Sequence, residues 1–198
     1  MFAGPNGSGK STIVDLFIQN NLCPSEYICP DKFVPRDKKD SYEANIEAAN
    51  KAELMRMNYI AVGYSFSFET VLSTVEKIEF IRHAKSKGYF ITAVFVTTSD
   101  CNINLKRIAK RVSQGGHNVP SDKVFSRYEK SMNLLYDLVT IVDDAKVYDN
   151  SNDVPMLVFQ KETNGDYNCF KRPAWLESCL IEKAELSGIH INDFSGCT

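Results

Sequence analysis

Nine residues near the start of the chain, Gly4-Pro5-Asn6-Gly7-Ser8-Gly9-Lys10-Ser11-Thr12, satisfy the spacing G-x-x-x-x-G-K-[ST] through Gly4, Gly9, Lys10 and Ser11. Residues of these types at this spacing grip phosphate. Glycines let the backbone curl until successive N–H groups point inward at phosphate oxygens. A helix starting at about Lys10 adds the positive end of its dipole. Lys10 is placed to reach β- and γ-phosphates, and the Ser11 hydroxyl to ligate Mg²⁺. The flanks agree: Met1-Phe2-Ala3 is apolar, and Ile13, Val14, Leu16, Phe17 and Ile18 open a helix. Only about three residues precede Gly4, so either the first strand is very short or the chain begins downstream of its natural start.

Positioning such a loop needs a sheet, and short apolar runs alternating with helical patterns predict an α/β fold. Tyr27-Ile28-Cys29 reads as a short strand closed by Pro30, and residues 32–40 as a charged loop. Asp40 is expected to cap a helix with Glu43 as its capping-box partner; the helix carries Ile46, Ala49 and Ala52 and fades near Val62-Gly63. Tyr64 to Phe68 alternates with period two, as a strand does. Ser73-x-x-Glu76 predicts a second capping box, opening a helix through Ile78, Ile81 and Ala84 that ends before Gly88. Tyr89 to Thr98 is the strongest strand, apolar and β-branched, hence central and parallel. Ser99 or Asp100 caps the next helix, with Leu105, Ile108, Ala109 and Val112 on its core face.

After a Gly115-Gly116 loop, the spacing predicts one long helix from about Ser121 through Val124, Tyr128, Leu135, Leu138 and Val142. Residues 145–149 and 156–161 are late strands, and residues 167–170 pair with the second. A terminal helix starts at Pro173. The chain reads as a single domain over 1–198, with 188–198 a weakly ordered tail.

At 198 residues with a formal net charge of −2, the bulk numbers exclude little except a strongly basic nucleic-acid binder; the basic cluster Lys106, Arg107, Lys110 and Arg111 is the one local exception. No signal peptide and no apolar stretch of about 18 residues is present, so no membrane partner is expected. The six cysteines Cys23, Cys29, Cys101, Cys169, Cys179 and Cys197 show no C-x-x-C pairing, which argues against zinc and for a reducing, cytoplasmic setting.

The loop alone does not choose among phosphate-loop proteins. The chain has neither the Leu-Ser-Gly-Gly signature of transport ATPases nor the Asn-Lys-x-Asp base reader of GTPases. What remains is a compact kinase-like fold with a mainly parallel sheet flanked by helices, acting on a small molecule. The phosphate loop, Phe68-Glu69-Thr70-Val71-Leu72-Ser73, the run from Arg107 through Arg111 to Gly115-Gly116-His117-Asn118-Val119-Pro120, Arg127-Tyr128 and Asp149-Asn150-Ser151 together resemble the zeta-toxin family, in its compact bacterial branch. The resemblance covers roughly residues 1–152 in order. It implies a P-loop NTPase kinase-like fold using ATP and Mg²⁺. It further implies phosphorylation of a UDP-amino sugar, typically the 3′-hydroxyl of UDP-N-acetylglucosamine, in a toxin–antitoxin setting with a possible antitoxin protein as partner.

On that resemblance Asp31 is the catalytic base that takes the proton of the attacking hydroxyl. Glu69 is a substrate-orienting carboxylate and Thr70 a hydroxyl contact to the substrate. Arg111 and Arg127 are the cations for the transferring phosphoryl group, with Arg107 a lesser candidate; a solvated helix face is the ordinary fate of such a run. Ser126 stands where the family often has another arginine, leaving Arg127 alone. His117 reads as a loop-shaping residue rather than a base, Asp143-Asp144 as turn residues, and Trp175 as a core or dimer contact. Two alternatives stay open: a kinase of another hydroxyl acceptor (an antibiotic, a nucleoside or another sugar nucleotide), and a nucleotide-binding interaction module with lost catalysis.

Overall fold

The first strand, β1, is only Phe2–Ala3, yet it lies in the middle of a sheet. The computed structural model describes residues 1–35, 38, 41–116 and 118–196. The remaining strands are β2 (Tyr27–Ile28), β3 (Ser67–Thr70), β4 (Thr92–Thr97), β5 (Asp144–Asp149), β6 (Met156–Lys161), β7 (Tyr167–Cys169) and β8 (Ile191–Asp193). Their order across the sheet is β2-β3-β1-β4-β5-β6-β7-β8. The first five strands in that order run parallel, β6 and β7 turn antiparallel, and β8 lies parallel to β7. Phe2 sits opposite Glu69 on one side and Val94 on the other. Two residues suffice for β1 because neighbours clamp it on both edges and both its side chains are buried.

Helices cover both faces. They are α1 (Lys10–Gln19), α2 (Tyr42–Val62), α3 (Val75–Ser86), α4 (Cys101–Ser113), α5 (Ser121–Asn133) and α6 (Leu135–Ile141); Ala174–Leu176 (α7) and Glu182–Leu186 (α8) flank a π-helical stretch, Glu177–Ile181. β4 shows why: Ala93 and Phe95 join the main core with α3, α6 and the terminal helices, whereas Val94 and Val96 meet Ile13 and Val14 of α1. A strand buried on both faces reads as a continuous apolar run, which is what made it legible.

Several expectations are corrected. The aromatic alternation at 64–68 is not pleat: α2 closes on Gly63 at φ 70°, Tyr64 N–H donates back to Tyr59, and the rings of Tyr59, Tyr64, Phe66 and Phe68 cluster. The strand starts at Ser67. Ser41, whose hydroxyl accepts from Ala44 N–H, caps α2; Asp40 lies outside the described residues. The α3 cap position falls on Thr74, one residue past Ser73. On α4 the cap is Asp100, one of the two expected, and of the expected core face Ile108 is buried and Leu105 packs beside it, while Ala109 and Val112 are exposed and Cys101 and Asn104 are buried instead. The helix expected to run unbroken from Ser121 is interrupted at Leu134, so α5 borders the cleft while Leu135, Leu138 and Val139 of α6 turn into the core.

Within 188–196, the described part of the expected tail, there is a strand. β8 pairs with β7, Phe194 stacks on Phe170, and Arg172 ties Glu177, Glu185 and Asp193 together. Its polar sequence concealed partners that are distant along the chain. Trp175 is a core residue whose indole N–H donates to Asp149. No helix among the described residues is long and apolar enough to cross a membrane.

Gly4 leaves β1 at φ 135°, where an added Cβ would lie 2.0 Å from the Val96 carbonyl oxygen. Backbone on both sides of that clash leaves nothing to yield. Gly4→Ala should therefore destabilise the fold by at least about 3 kcal/mol, lowering the thermal midpoint by roughly 6–12 °C in a melting experiment without ligand.

Candidate active site

Because β2, β3, β1, β4 and β5 run parallel, the segments that follow them emerge on one edge, where open α/β sheets bind ligands. After β1 comes the glycine loop; after β2, Asp31; at the end of β3, Glu69 and Thr70; after β4, Thr98; after β5, Asn150. The glycine loop, Asp31 and Glu69 open on a cleft of about 880 Å³ whose far wall is the start of α2, α4 and the segment 118–120, while Thr98 and Asn150 are buried behind the loop.

The loop is bent as a phosphate cradle must be. Gly7 and Gly9 sit at φ 78° and 92°, and an added Cβ at either would collide, with the Asn104 carbonyl oxygen at 2.7 Å or with Asn150 Nδ2 at 2.2 Å. Two asparagines hold it. Asn104 Nδ2 donates to the Asn6 carbonyl at 2.8 Å, and Asn150 Nδ2 to the Ser8 carbonyl at 2.7 Å. Asn104 Oδ1 accepts from the Thr98 hydroxyl, and Tyr128 OH donates to the Thr98 carbonyl at 2.6 Å; burial pushes the Tyr128 phenol up to about 12. With those carbonyls engaged and the Ser8 N–H turned back to the Pro5 carbonyl, the other amides of the loop are left for an incoming anion.

Lys10, on the first turn of α1, is 5% exposed. Its Nζ donates to the Pro5 carbonyl at 3.0 Å and lies 3.7 Å from Glu69 Oε1. Burial lowers its pKa, the carboxylates of Glu69 and Asp31 oppose that, and Arg111 adds to it. Glu69 also accepts from Tyr27 OH at 2.7 Å; burial and that carboxylate drive the tyrosine's pKa upward, so Tyr27 stays a donor.

Of the nine loop residues named from the sequence, Asn6, Gly7, Gly9, Lys10 and Ser11 line the cleft. Gly4, Pro5 and Ser8 are buried beneath, and Thr12 is exposed outside it. Asp31, in the 3₁₀ turn Pro30–Phe33, is exposed at the cleft's edge. Thr70 lies in an adjoining cavity, where its hydroxyl accepts from the N–H of Leu72, a buried residue held at φ 55°. Arg107, Arg111 and Arg127 all line the cleft; Arg127 Nη1 donates to Asn6 Oδ1 at 3.3 Å, while Arg107 reaches the Asn152 carbonyl. Gly115 at φ 79° ends α4, and Gly116 packs against the Arg111 backbone and side chain. His117 lies outside the described residues. With Lys123, five basic side chains face two carboxylates, Asp31 and Glu69, across the cleft, a balance suited to a polyphosphate.

Sequence reasoning assigned no role to Tyr27, Asn104, Asn150 or Arg56. Asn104 carried a signal, a polar residue on the face of α4 shared with Cys101 and Ile108; Arg56 carried the same kind of signal in α2.

The residues present fit both a nucleoside triphosphate and its metal. Positive-φ glycines at collision points leave room only for a bare backbone, a buried ammonium stands at the loop's end, and Ser11 offers its hydroxyl to the cleft.

Comparison with known proteins agrees with this geometry. The model of the zeta toxin family matches residues 1–157. An uncharacterised protein of Haemophilus influenzae is 30% identical over 128 residues, spanning 64% of this chain and 89% of that protein. Among solved structures, one from the PezAT chromosomal toxin–antitoxin system of Streptococcus pneumoniae superposes with a TM-score of 0.59 at 17% identity, over 94% of this chain and 82% of that one. The AvrRxo1-ORF1:AvrRxo1-ORF2 complex, solved with sulphate ions, gives 0.66 at 16% identity, over 94% and 62%. At these identities the structural neighbours establish the fold.

Asn150 is the most distant support of the loop along the chain. Replacing it with alanine orphans the Ser8 carbonyl, a loss of about 1–3 kcal/mol. The Asn150→Ala protein should bind ATP roughly tenfold more weakly by calorimetric titration, and Asn102→Ala, whose side-chain amide bonds Asp100 in its own turn, should bind it as the parent does.

Proposed function

The chain belongs to the zeta toxin family, and from that premise we propose that it is an ATP-dependent kinase of a small-molecule hydroxyl, the toxin of a cytoplasmic toxin–antitoxin pair. The acceptor in this reading is a UDP-amino sugar, UDP-N-acetylglucosamine first. The observation that carries the reading is the meeting of Lys10, Glu69 and Asp31, from three different strand ends, at one basic cleft. The resemblance supplies the acceptor, and the toxin–antitoxin origin of a structural neighbour supplies the setting; the partner in that setting is an antitoxin protein.

In the proposed reaction the acceptor oxygen attacks the γ-phosphorus in line, the bond to the β-bridging oxygen breaks, and ADP leaves. Asp31 takes the hydroxyl proton as the new P–O bond forms. Glu69, anchored by Tyr27, orients the acceptor and balances Lys10 until the phosphates arrive. Lys10 then trades its bond to the Pro5 carbonyl for phosphate oxygens, and the loop amides share the charge that spreads over the equatorial oxygens. Arg127, already at Asn6, and Arg111 close on the phosphoryl group from the α4–α5 side. Bound Mg²⁺, held through Ser11, would supply further charge neutralisation on the β- and γ-oxygens.

The test is transfer from γ-labelled ATP to a panel of UDP-sugars, nucleosides and aminoglycosides. Transfer to UDP-N-acetylglucosamine is expected, falling roughly 10³-fold or more in Lys10→Ala. In Asp31→Asn kcat should fall about 10²–10⁴-fold with ATP affinity retained. Transfer only to another acceptor overturns the sugar assignment, and ATP binding with no transfer to anything overturns the kinase.

A further inference from the structure

Helix α2 buries one stripe, Ala48, Ala52, Arg56 and Ile60, spaced four apart. Ala52 packs with Ile28 and Phe68 as an apolar residue should. Arg56 occupies the same stripe with a guanidinium and is only 6% exposed.

The surroundings of this arginine do not neutralise it. Among the described residues it has no carboxylate within ion-pair distance and no hydrogen bond, and its Nε is buried without a partner. Its Cζ lies 5.4 Å from the Phe68 ring centroid and 5.5 Å from that of Phe80. Ring faces answer part of a guanidinium's charge, less than an ion loses when it is buried without a partner. Glu53 is the acid that attracts it, but that side chain is 61% exposed and lies 3.7 Å from Lys77. Guanidinium cannot shed its proton as a lysine would. The charge is therefore held in place with only partial compensation.

It is also held in a particular place. Arg56 lines a cavity of about 320 Å³ that adjoins the phosphate cleft and shares Asn6, Asp31, Glu69 and Arg127 with it. The other charges there are engaged: Glu53 with Lys77, Glu69 with Lys10 and Tyr27, Arg127 with Asn6. Asp31 and Glu69 at the mouth suit a hydroxyl, and Arg56 on the inner wall suits an oxyanion.

We infer that Arg56 is a selectivity-determining residue of the acceptor site, and that in this cavity its guanidinium receives an oxyanion of the acceptor, a phosphate or a carboxylate. The inference rests on the kinase reading for the word acceptor, but the anion site stands on Arg56 and its cavity. The guanidinium presents a planar set of donors that matches such a group, and an arriving anion replaces solvent around a charge that the protein leaves unpaired. Selectivity follows: a neutral sugar or nucleoside leaves the charge as it is, and its phosphorylated form cancels it.

Two measurements decide this, one of which does not depend on turnover. The Arg56 Nε–H resonance, assigned by its disappearance in Arg56→Met, is followed in protein whose loop is filled with Mg²⁺ and a non-hydrolysable ATP analogue. It should shift on titration with inorganic phosphate, with UDP-N-acetylglucosamine or with glucuronic acid, and stay fixed with neutral N-acetylglucosamine; the acid and phosphate arms separate the two oxyanion classes. In kinetics, Arg56→Met should raise the acceptor KM about 10–100-fold, the loss of one charge-assisted contact, and leave the KM for ATP where it was. A resonance unmoved by every anionic probe, or moved equally by the neutral sugar, overturns the inference, as does a neutral preferred acceptor. If no acceptor in the panel is phosphorylated, the kinase reading fails while the resonance still answers for Arg56.

Discussion

Burying an ammonium costs several kcal/mol unless something answers its charge, and the site is organised around that cost at Lys10. The chain answers it twice before any ligand arrives, with the Pro5 carbonyl and with Glu69. Both answers come from strand ends: Pro5 from the loop after β1, Glu69 from the last turns of β3, brought level because Phe2 pairs directly with Glu69. Sheet register therefore sets the position of the charge pair. Tyr27, from β2, then fixes the second oxygen of the same carboxylate.

The same constraint explains why the loop is held from the other side by asparagines. A cation–carboxylate pair in the wall would compete with phosphate for the loop amides or for Lys10. Neutral side-chain amides can take the loop's carbonyls without adding charge, and Asn104 does so from α4 and Asn150 from just after β5. The basic side chains Arg107, Arg111, Lys123 and Arg127 stay on the wall made by α4 and α5, where they line the cleft. Arg56 breaks this pattern by sitting deep in the fold with its charge only partly answered, which is why it points to a ligand and not to a scaffold role.

How much of this could be read along the chain depends on how local each feature is. The phosphate loop was legible in full because nine consecutive residues carry it. β4 was legible because burial on both faces leaves an uninterrupted apolar run. Asp31 and Glu69 were reachable only through resemblance, since a lone acid after a strand has no spacing to betray it. The clamping roles were not legible: Asn150 stood in a segment that carries the resemblance and Asn104 on the buried face of α4, but their partners lie 142 and 98 residues away. Arg56 could have been suspected from its register with Ala48, Ala52 and Ile60, but α2 exposes Leu54, Met57 and Val62 as well, so its apolar residues do not single out one face. The strand expected at 64–68 begins three residues late, at Ser67, because a ring cluster and a pleated strand can both place aromatics two apart. β8 went unread because a short polar strand has no signature without its partner.

In the proposed kinase the carboxylate of Asp31 and the charge pair of Lys10 and Glu69 face each other across a reacting hydroxyl and a terminal phosphate. A crystal structure of the complex with Mg²⁺, a non-hydrolysable ATP analogue and an anionic acceptor measures this directly. The account predicts an Asp31 oxygen within about 3 Å of the acceptor hydroxyl, with that hydroxyl in line with the γ-phosphorus and Lys10 moved from Pro5 onto the phosphates. A complex in which Asp31 points into solvent and the hydroxyl nearest the γ-phosphorus is held by some other group would contradict it.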